Sequence, residues 1–242
     1  MAFRFESGTC MVIILGMHRS GTSSFAGCLQ QRGLYLGNVI EKSPHNAKGN
    51  RENPDIMRLN ESVLEKSGGS WDRPPQMITW DREQIQERDR IIESYLQESC
   101  TFGFKDPRTL LTLPFWEDSL LPTRYVGTFR HPLLAAQSLN RRNGMPISLG
   151  LALWKEYNRR LLLYYYNYKL PVVSFDATPS EYLRSIDRIA SYLGLKKDGT
   201  NGKDVFFDES LRKEAFDDAV ALPPEVMELY EQLNIISREK RS

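Results

Sequence analysis

Residues 12–29, VIILGMHRSGTSSFAGCL, decide the fold of this chain. An apolar run ends at Gly16, a short polar loop follows, and the residues from Thr22 onward are compatible with a helix. A strand that passes through such a loop into a helix is the layout of a phosphate-binding loop. The lysine that precedes the threonine in ATP- and GTP-hydrolysing loops is absent, and Arg19 supplies the positive charge instead. The segment therefore predicts a site for an anionic nucleotide, whose identity the loop alone leaves open.

Short apolar runs alternate along the chain with longer segments of helical periodicity, a pattern typical of βαβ units. This pattern predicts an α/β fold with three layers, in which helices flank a central, mostly parallel sheet as in P-loop proteins. The predicted strands cover residues 11–15, 101–104, 124–129 and 171–175. The predicted helices cover residues 22–31, 54–66, 81–98, 132–141, 147–168, 179–193 and 223–235. No repeat or composition shift divides the 242 residues, so we expect one domain over residues 1–242.

The composition argues against several classes of protein. The 32 basic and 31 acidic residues leave a formal charge of +1, so we expect no overall attraction to nucleic acid or to a membrane surface. The 3 cysteines have no metal-ligand spacing, which argues against a zinc site and a disulfide framework and favours a reducing compartment. The first residues lack the pattern of a signal peptide, and no apolar run is long enough for a transmembrane segment. These features predict a cytoplasmic protein.

The polar loop can bind an anion without a metal ion. Its backbone N–H groups, between Gly16 and Thr22, meet the positive end of the following helix. A guanidinium and several hydroxyl groups add further donors to the same place. The candidate nucleotide-binding residues are therefore His18, Arg19, Ser20, Gly21, Thr22 and Ser23.

Two further predicted strands end in basic residues. One strand ends at Arg130, and Ser138 follows about two turns into the next helix, so that both side chains could hold one phosphate. Another strand ends near Lys105, which we expect at the same edge, because ligands of open α/β sheets bind beyond the carboxyl ends of the strands. A lysine there could neutralise charge on a bridging oxygen during group transfer. Taken alone, Lys105 could equally pair with Asp106 as an ordinary strand end.

The segments HRSGTS at 18–23, FKDPR at 104–108 and FRHPLLAAQS at 129–138 together resemble the sulfotransferases that use 3′-phosphoadenosine 5′-phosphosulfate (PAPS). FKDPR is most similar to the branch of that family that acts on carbohydrates and on protein tyrosines. The resemblance implies transfer of a sulfonate group to an acceptor hydroxyl, with a carbohydrate or a glycolipid as the expected acceptor. It also implies that 3′-phosphoadenosine 5′-phosphate (PAP) is the product and that no metal ion takes part.

The resemblance further implies a role for each of the matched residues. Arg19, Thr22 and the loop amides would bind the 5′-phosphosulfate. Arg130 and Ser138 would bind the 3′-phosphate of the nucleotide. Lys105 would stabilise the transferring group.

In-line displacement at sulfur also requires a base for the proton of the acceptor hydroxyl. The resemblance implies Glu52, because glutamates in the segment after the first helix have this role in similar sulfotransferases. Glu41 and His45 are alternatives in the same segment. The expected catalytic residues are therefore Glu52, Lys105 and Arg19.

Less specific features bear on the acceptor. Trp71 and Trp80 could line a sugar pocket or could simply belong to an ordered loop. Arg141 and Arg142 could steer an anionic acceptor, although basic residues at the end of a helix also complement its dipole. The segments expected to form the acceptor pocket are 36–52, 67–80 and 196–203.

Two other functions remain open at this point. A P-loop kinase for a small molecule or a nucleoside would share the fold, and Asp176 could then serve as a magnesium ligand. The missing lysine counts against this alternative, because that lysine normally contacts the terminal phosphates. The third possibility is a protein that binds the nucleotide without catalysis.

Overall fold

A parallel sheet of four strands forms the centre of the computed structural model, which describes residues 9–42, 48–99, 101–119, 121–195, 206–207 and 221–239. The strands are β1 (Cys10–Leu15), β2 (Thr101–Lys105), β3 (Thr123–Phe129) and β4 (Val172–Ser174). Their order in the sheet is β2-β1-β3-β4, and all three pairings are parallel. The four predicted strands are thus confirmed.

Helices occupy most of the chain between the strands. All seven predicted helices are present, and the described residues contain an eighth, α4, which was not predicted. Its residues are mostly apolar and all but Pro114 and Glu117 are buried, so its sequence lacks the periodicity of an amphipathic helix. The helices are α1 (Thr22–Gln30), α2 (Pro54–Lys66), α3 (Arg82–Leu96), α4 (Thr109–Glu117), α5 (Pro132–Asn143), α6 (Ile147–Tyr168), α7 (Pro179–Tyr192) and α8 (Pro224–Arg238).

The sheet is covered on both faces, as its apolar strands require. Alternate residues of β1 point to opposite faces. Ile13 and its neighbours on one face belong to a large apolar cluster with side chains of α2, α3, α4, α6 and α8. Val12 and Ile14 belong to a second cluster, built with α1 and α7. The three-layer α/β architecture is therefore confirmed.

The connections between the strands create a crevice at the end of β1. The chain leaves β1 for β2 on one side, and then crosses to β3 on the other side. Such a reversal of strand order opens a cleft at the carboxyl ends of the strands, where ligands of open α/β sheets bind. The segments after all four strands begin at this edge.

Within the parts of the chain that the structure describes, no helix combines the length and the apolar character needed to cross a lipid bilayer.

Candidate functional site

The loop between β1 and α1 fits tightly against the neighbouring strands. A Cβ atom on Gly16 would lie 2.7 Å from the backbone oxygen of Thr128 in β3. Gly21, the residue before α1, has a φ of 79°, and a Cβ atom there would overlap the ring of Phe175. Arg19 also has a positive φ, 63°, which is uncommon for a residue with a side chain. The loop thus presents the N-terminus of α1 at the sheet edge, where the helix dipole favours an anion.

Arg19 joins this loop to the helix that follows β3. Its Nε atom donates a hydrogen bond to Oγ of Ser138, at 2.9 Å, so the structure brings together two predicted phosphate contacts from distant segments. Burial lowers the pKa of Arg19, and the positive charges of Arg142, Arg130 and Arg141 lower it further. The basic residues of the candidate site are therefore close enough to repel one another, which an anionic ligand would relieve.

Lys105 and Glu52 form a buried ion pair at the end of β2. The Nζ atom of Lys105 lies 2.7 Å from Oε1 of Glu52, and both side chains are almost completely buried. The same Nζ atom lies 3.3 Å from Oγ of Ser23, which donates to the backbone oxygen of Asn50. The predicted base, the predicted lysine and the start of α1 are thus in direct contact.

Asp106, which the sequence offered as a possible partner of Lys105, pairs with a different residue. Its carboxylate accepts hydrogen bonds from the backbone N–H and the guanidinium of Arg108. Arg108 also pairs with Glu61 at 2.7 Å. Burial tends to lower the pKa of Arg108, but Asp106, Glu61 and Glu52 outweigh it, and the pKa is raised. This network orders the corner after β2. Because Asp106 pairs with Arg108, Lys105 pairs with Glu52 instead.

Arg130 follows β3 and contacts an acid that follows β4. Its Nε atom lies 3.4 Å from Oδ1 of Asp176, and the other carboxylate oxygen accepts the backbone N–H of His131 at 2.5 Å. Burial lowers the pKa of Arg130, and the charge of Asp176 opposes that effect. Both oxygens of Asp176 are engaged, so a magnesium ion at this position would have to compete with an arginine.

His18 lies buried between aromatic rings. Its ring centroid is 4.7 Å from that of Trp71 and 6.2 Å from that of Tyr157. Its Nε2 atom is buried without a hydrogen-bond partner. Burial lowers the pKa of His18 well below its usual value, and Arg108 is the largest of the nearby charges that lower it further. The imidazole is therefore neutral at physiological pH.

The remaining loop residues line the same turn. Ser20 is buried, and its Oγ atom has no hydrogen-bond partner, which leaves a donor for a ligand. Thr22 is buried as the first residue of α1. These two residues and Gly21 lie at the turn between β1 and α1, and their contact with a nucleotide stays a prediction.

The alternatives to Glu52 have different outcomes. Glu41 is exposed, and its carboxylate lies 3.2 Å from Nη1 of Arg51, so it is not a partner of Lys105. His45 lies outside the described residues, as does the segment 196–203 that we expected near the acceptor. Glu52 is therefore the acid that contacts Lys105 among the candidates that the structure describes.

Trp71 and Trp80 separate in the structure. The Trp71 ring lies on His18, whereas Trp80 packs against Phe115 in the core. Arg142 lies over the Trp71 ring, with its guanidinium carbon 5.9 Å from the ring centroid.

The role of Asp176 beside Arg130 was missed, because the order of strands that brings them together is not visible in the sequence.

Comparisons with known proteins bear on the fold. No protein-family model matches the sequence, and no curated protein matches it. The structure is similar to the sulfotransferase domain from the Synechococcus PCC 7002 olefin synthase, with a TM-score of 0.59, 17% identity, and coverage of 96% of this chain and 98% of that chain. Retinol dehydratase in complex with androsterone and inactive cofactor PAP aligns with a TM-score of 0.35 and 12% identity, over 94% of this chain and 65% of that chain, a likeness too slight to carry an argument. The chain thus has the α/β fold of a known sulfotransferase domain.

Proposed function

We propose that this chain is a single-domain sulfotransferase, which moves a sulfonate group from PAPS to an acceptor hydroxyl and releases PAP. One observation carries the proposal. The segments that end β1, β2 and β3 carry Arg19, Lys105 and Arg130 at one edge of the sheet, and Lys105 contacts a buried carboxylate there. Such a site combines charge for a polyanionic donor with a group that can accept a proton.

The nucleotide would bind across the crevice at the end of β1. Arg19 and the N-terminus of α1 suit the phosphosulfate end, because backbone N–H groups and a guanidinium both donate to anionic oxygens. Arg130 and Ser138 suit the 3′-phosphate. The hydrogen bond between Arg19 and Ser138 supports this arrangement, since one bound nucleotide could contact both residues.

Glu52 and Lys105 would carry out the chemistry. Glu52 would take the proton of the acceptor hydroxyl as the new bond between oxygen and sulfur forms. Lys105 would stabilise the negative charge on the phosphate oxygen as its bond to sulfur breaks. The contact between these residues also gives Lys105 a partner before the donor arrives.

The acceptor would be a hydroxyl of a carbohydrate or a glycolipid. Trp71 supports this part of the proposal, because the apolar faces of sugars pack well on aromatic rings. Its ring is only partly buried and lies against His18 of the phosphate loop. An acceptor on Trp71 would therefore be close to the transferring group.

Nucleotide binding tests the proposal first. PAP at about one hundred times its dissociation constant, without a metal ion, should stabilise the protein by about 2.7 kcal/mol and raise its melting temperature by roughly 5–10 °C. Arg130→Glu should abolish the shift. Arg124→Glu is the matched control, because Arg124 is exposed near the start of β3, at the opposite edge of the sheet.

The alternatives give different results in the same assays. Stabilisation only by ATP or ADP with Mg²⁺ would favour a kinase. Stabilisation by PAP without sulfonate transfer to any carbohydrate or glycolipid tested would favour a nucleotide-binding protein that lacks catalysis. Absence of any shift with PAP would contradict the proposed function.

A further inference from the structure

We propose, as an extension of the proposed function, that the acceptor carries its own anionic group, which binds Arg142 while the body of the acceptor packs on Trp71. The acceptor class is thus a hydroxyl compound with a carboxylate, phosphate or sulfate group. His18, Trp71 and Arg142 together form the acceptor platform.

The acceptor platform is continuous with the phosphate loop. His18 is the residue before Arg19, and its ring contacts the ring of Trp71 at 4.7 Å. Arg142 lies over the same indole at 5.9 Å. Arg142 is close enough to lower the pKa of both His18 and Arg19. Its charge is therefore part of the site and not of a remote surface.

The loop that carries Trp71 is held in place by α6. The hydroxyl of Tyr157 donates to the backbone oxygen of Trp71 at 2.8 Å. Arg160 donates to the backbone oxygen of Pro75 at 2.9 Å. A fixed loop backbone gives the indole a defined position, so the platform is present before an acceptor binds.

Arg142 differs from three other cations of the site. Lys105, Arg108 and Arg130 each have a carboxylate partner within the site. Arg142 is exposed and has no ion pair with any of the residues that the structure describes. A guanidinium beside an indole suits a ligand with two parts: its apolar body packs on the ring, and its anionic group pairs with the guanidinium.

His18 supplies the second polar feature of the platform. Its Nε2 atom is buried and lacks a hydrogen-bond partner, although an unpaired buried polar atom is costly. A hydroxyl group brought by a ligand would satisfy it. The platform therefore offers a position for a hydroxyl group at His18, next to the phosphate loop, and a position for an anion at Arg142, which lies over the Trp71 ring.

Two probes that differ in a single carboxylate test this inference. Calorimetry would measure the binding of 6-hydroxy-2-naphthoate and of 2-naphthol, both to the free protein and to the protein saturated with PAP. The carboxylate probe should bind at least about tenfold more tightly, as expected for a charge-assisted contact with a guanidinium. Arg142→Gln should remove the difference, whereas Trp71→Ala should weaken both probes. Arg124→Gln, at the opposite edge of the sheet, should leave the difference intact.

Several outcomes would overturn the inference. These are equal affinities of the wild type for both probes, no binding of either probe, and an unchanged preference in Arg142→Gln. A loss of PAP affinity in Arg142→Gln without any effect on the probes would assign Arg142 to the nucleotide instead. Failure of the wild type to bind PAP would count against the proposed function, and the comparison on the free protein would still decide the preference for an anion.

Discussion

The buried ion pair of Lys105 and Glu52 should contribute to the stability of the fold, and its geometry gives the size of the effect. At 2.7 Å and an effective dielectric constant of about 20, the Coulomb attraction is about 6 kcal/mol before the cost of removing both ions from water. Lys105→Met leaves the carboxylate buried without its partner, which should lower the free energy of unfolding by about 3–5 kcal/mol. Glu52→Gln leaves the ammonium buried without its counter-ion, although the amide oxygen can still accept a hydrogen bond, and should cost a similar amount, about 3–5 kcal/mol.

A double-mutant cycle measures the coupling between these two side chains. The double variant should be more stable than the sum of the single effects predicts, by about 2 kcal/mol or more, because neither charge is left unpaired. Urea unfolding gives the four free energies. The control cycle is Lys155→Met with Glu225→Gln, an exposed pair at 3.2 Å that should couple by less than about 1 kcal/mol. A coupling for the buried pair no larger than that of the exposed pair would refute the reasoning.

The remaining predictions concern catalysis, pH and the loop. Glu52→Gln should retain PAP binding and lose sulfonate transfer by a factor of about 10²–10⁴, in a radiolabelled PAPS assay. The pKa of His18 is lowered in the folded protein, so the free energy of unfolding should fall as pH drops below about 6.5. His18→Gln should reduce the slope of that fall by up to about 1.4 kcal/mol per pH unit. Gly21→Ala should cost more than about 2 kcal/mol, because a Cβ atom would overlap Phe175 and the φ is positive.

Each of these predictions has its own check. Normal turnover of Glu52→Gln would remove this residue from the role of base. At a pH between the pKa values that His18 has in the folded and the unfolded protein, only the unfolded chain takes up a proton at this residue, and this sets the sign of the pH effect. A pH slope in His18→Gln equal to that of the wild type would therefore contradict the prediction. Gly68→Ala is the control for Gly21→Ala, since Gly68 also has a positive φ, 75°, but has nothing within 4 Å of the added Cβ atom.

Much of the fold could be predicted from local patterns. The apolar run before Gly16, the glycine-containing loop and the helix after it are all encoded within one short segment, and the structure has β1 and α1 there. Helix α4 escaped prediction because nearly all of its residues are buried, so its sequence shows no continuous polar face. Periodicity reports the contrast between two faces of a helix, and a helix that is almost entirely buried shows little contrast.

The site could be predicted in part. The ends of parallel strands meet at one edge, so the proximity of Arg19 and Ser138 follows from the fold. The acidic partners of Lys105 and Arg130 could not be predicted in this way. Sequence neighbours suggested Asp106 for Lys105, whereas the structure pairs Lys105 with a glutamate more than fifty residues away. Asp176 reaches Arg130 only because β4 lies beside β3, and the strand order depends on packing across the whole sheet.

The contact between Arg130 and Asp176 has a consequence for ligand selection. An anion that binds Arg130 competes with a carboxylate that belongs to the same chain and is therefore present at a high effective concentration. If Arg130 binds the 3′-phosphate as proposed, chloride and other weak monovalent anions would lose this competition, whereas a dianionic phosphate that also contacts a second cation would win it. Asp176 would thus lower the apparent affinity of Arg130 for every anion and would favour the anions with enough charge to displace it.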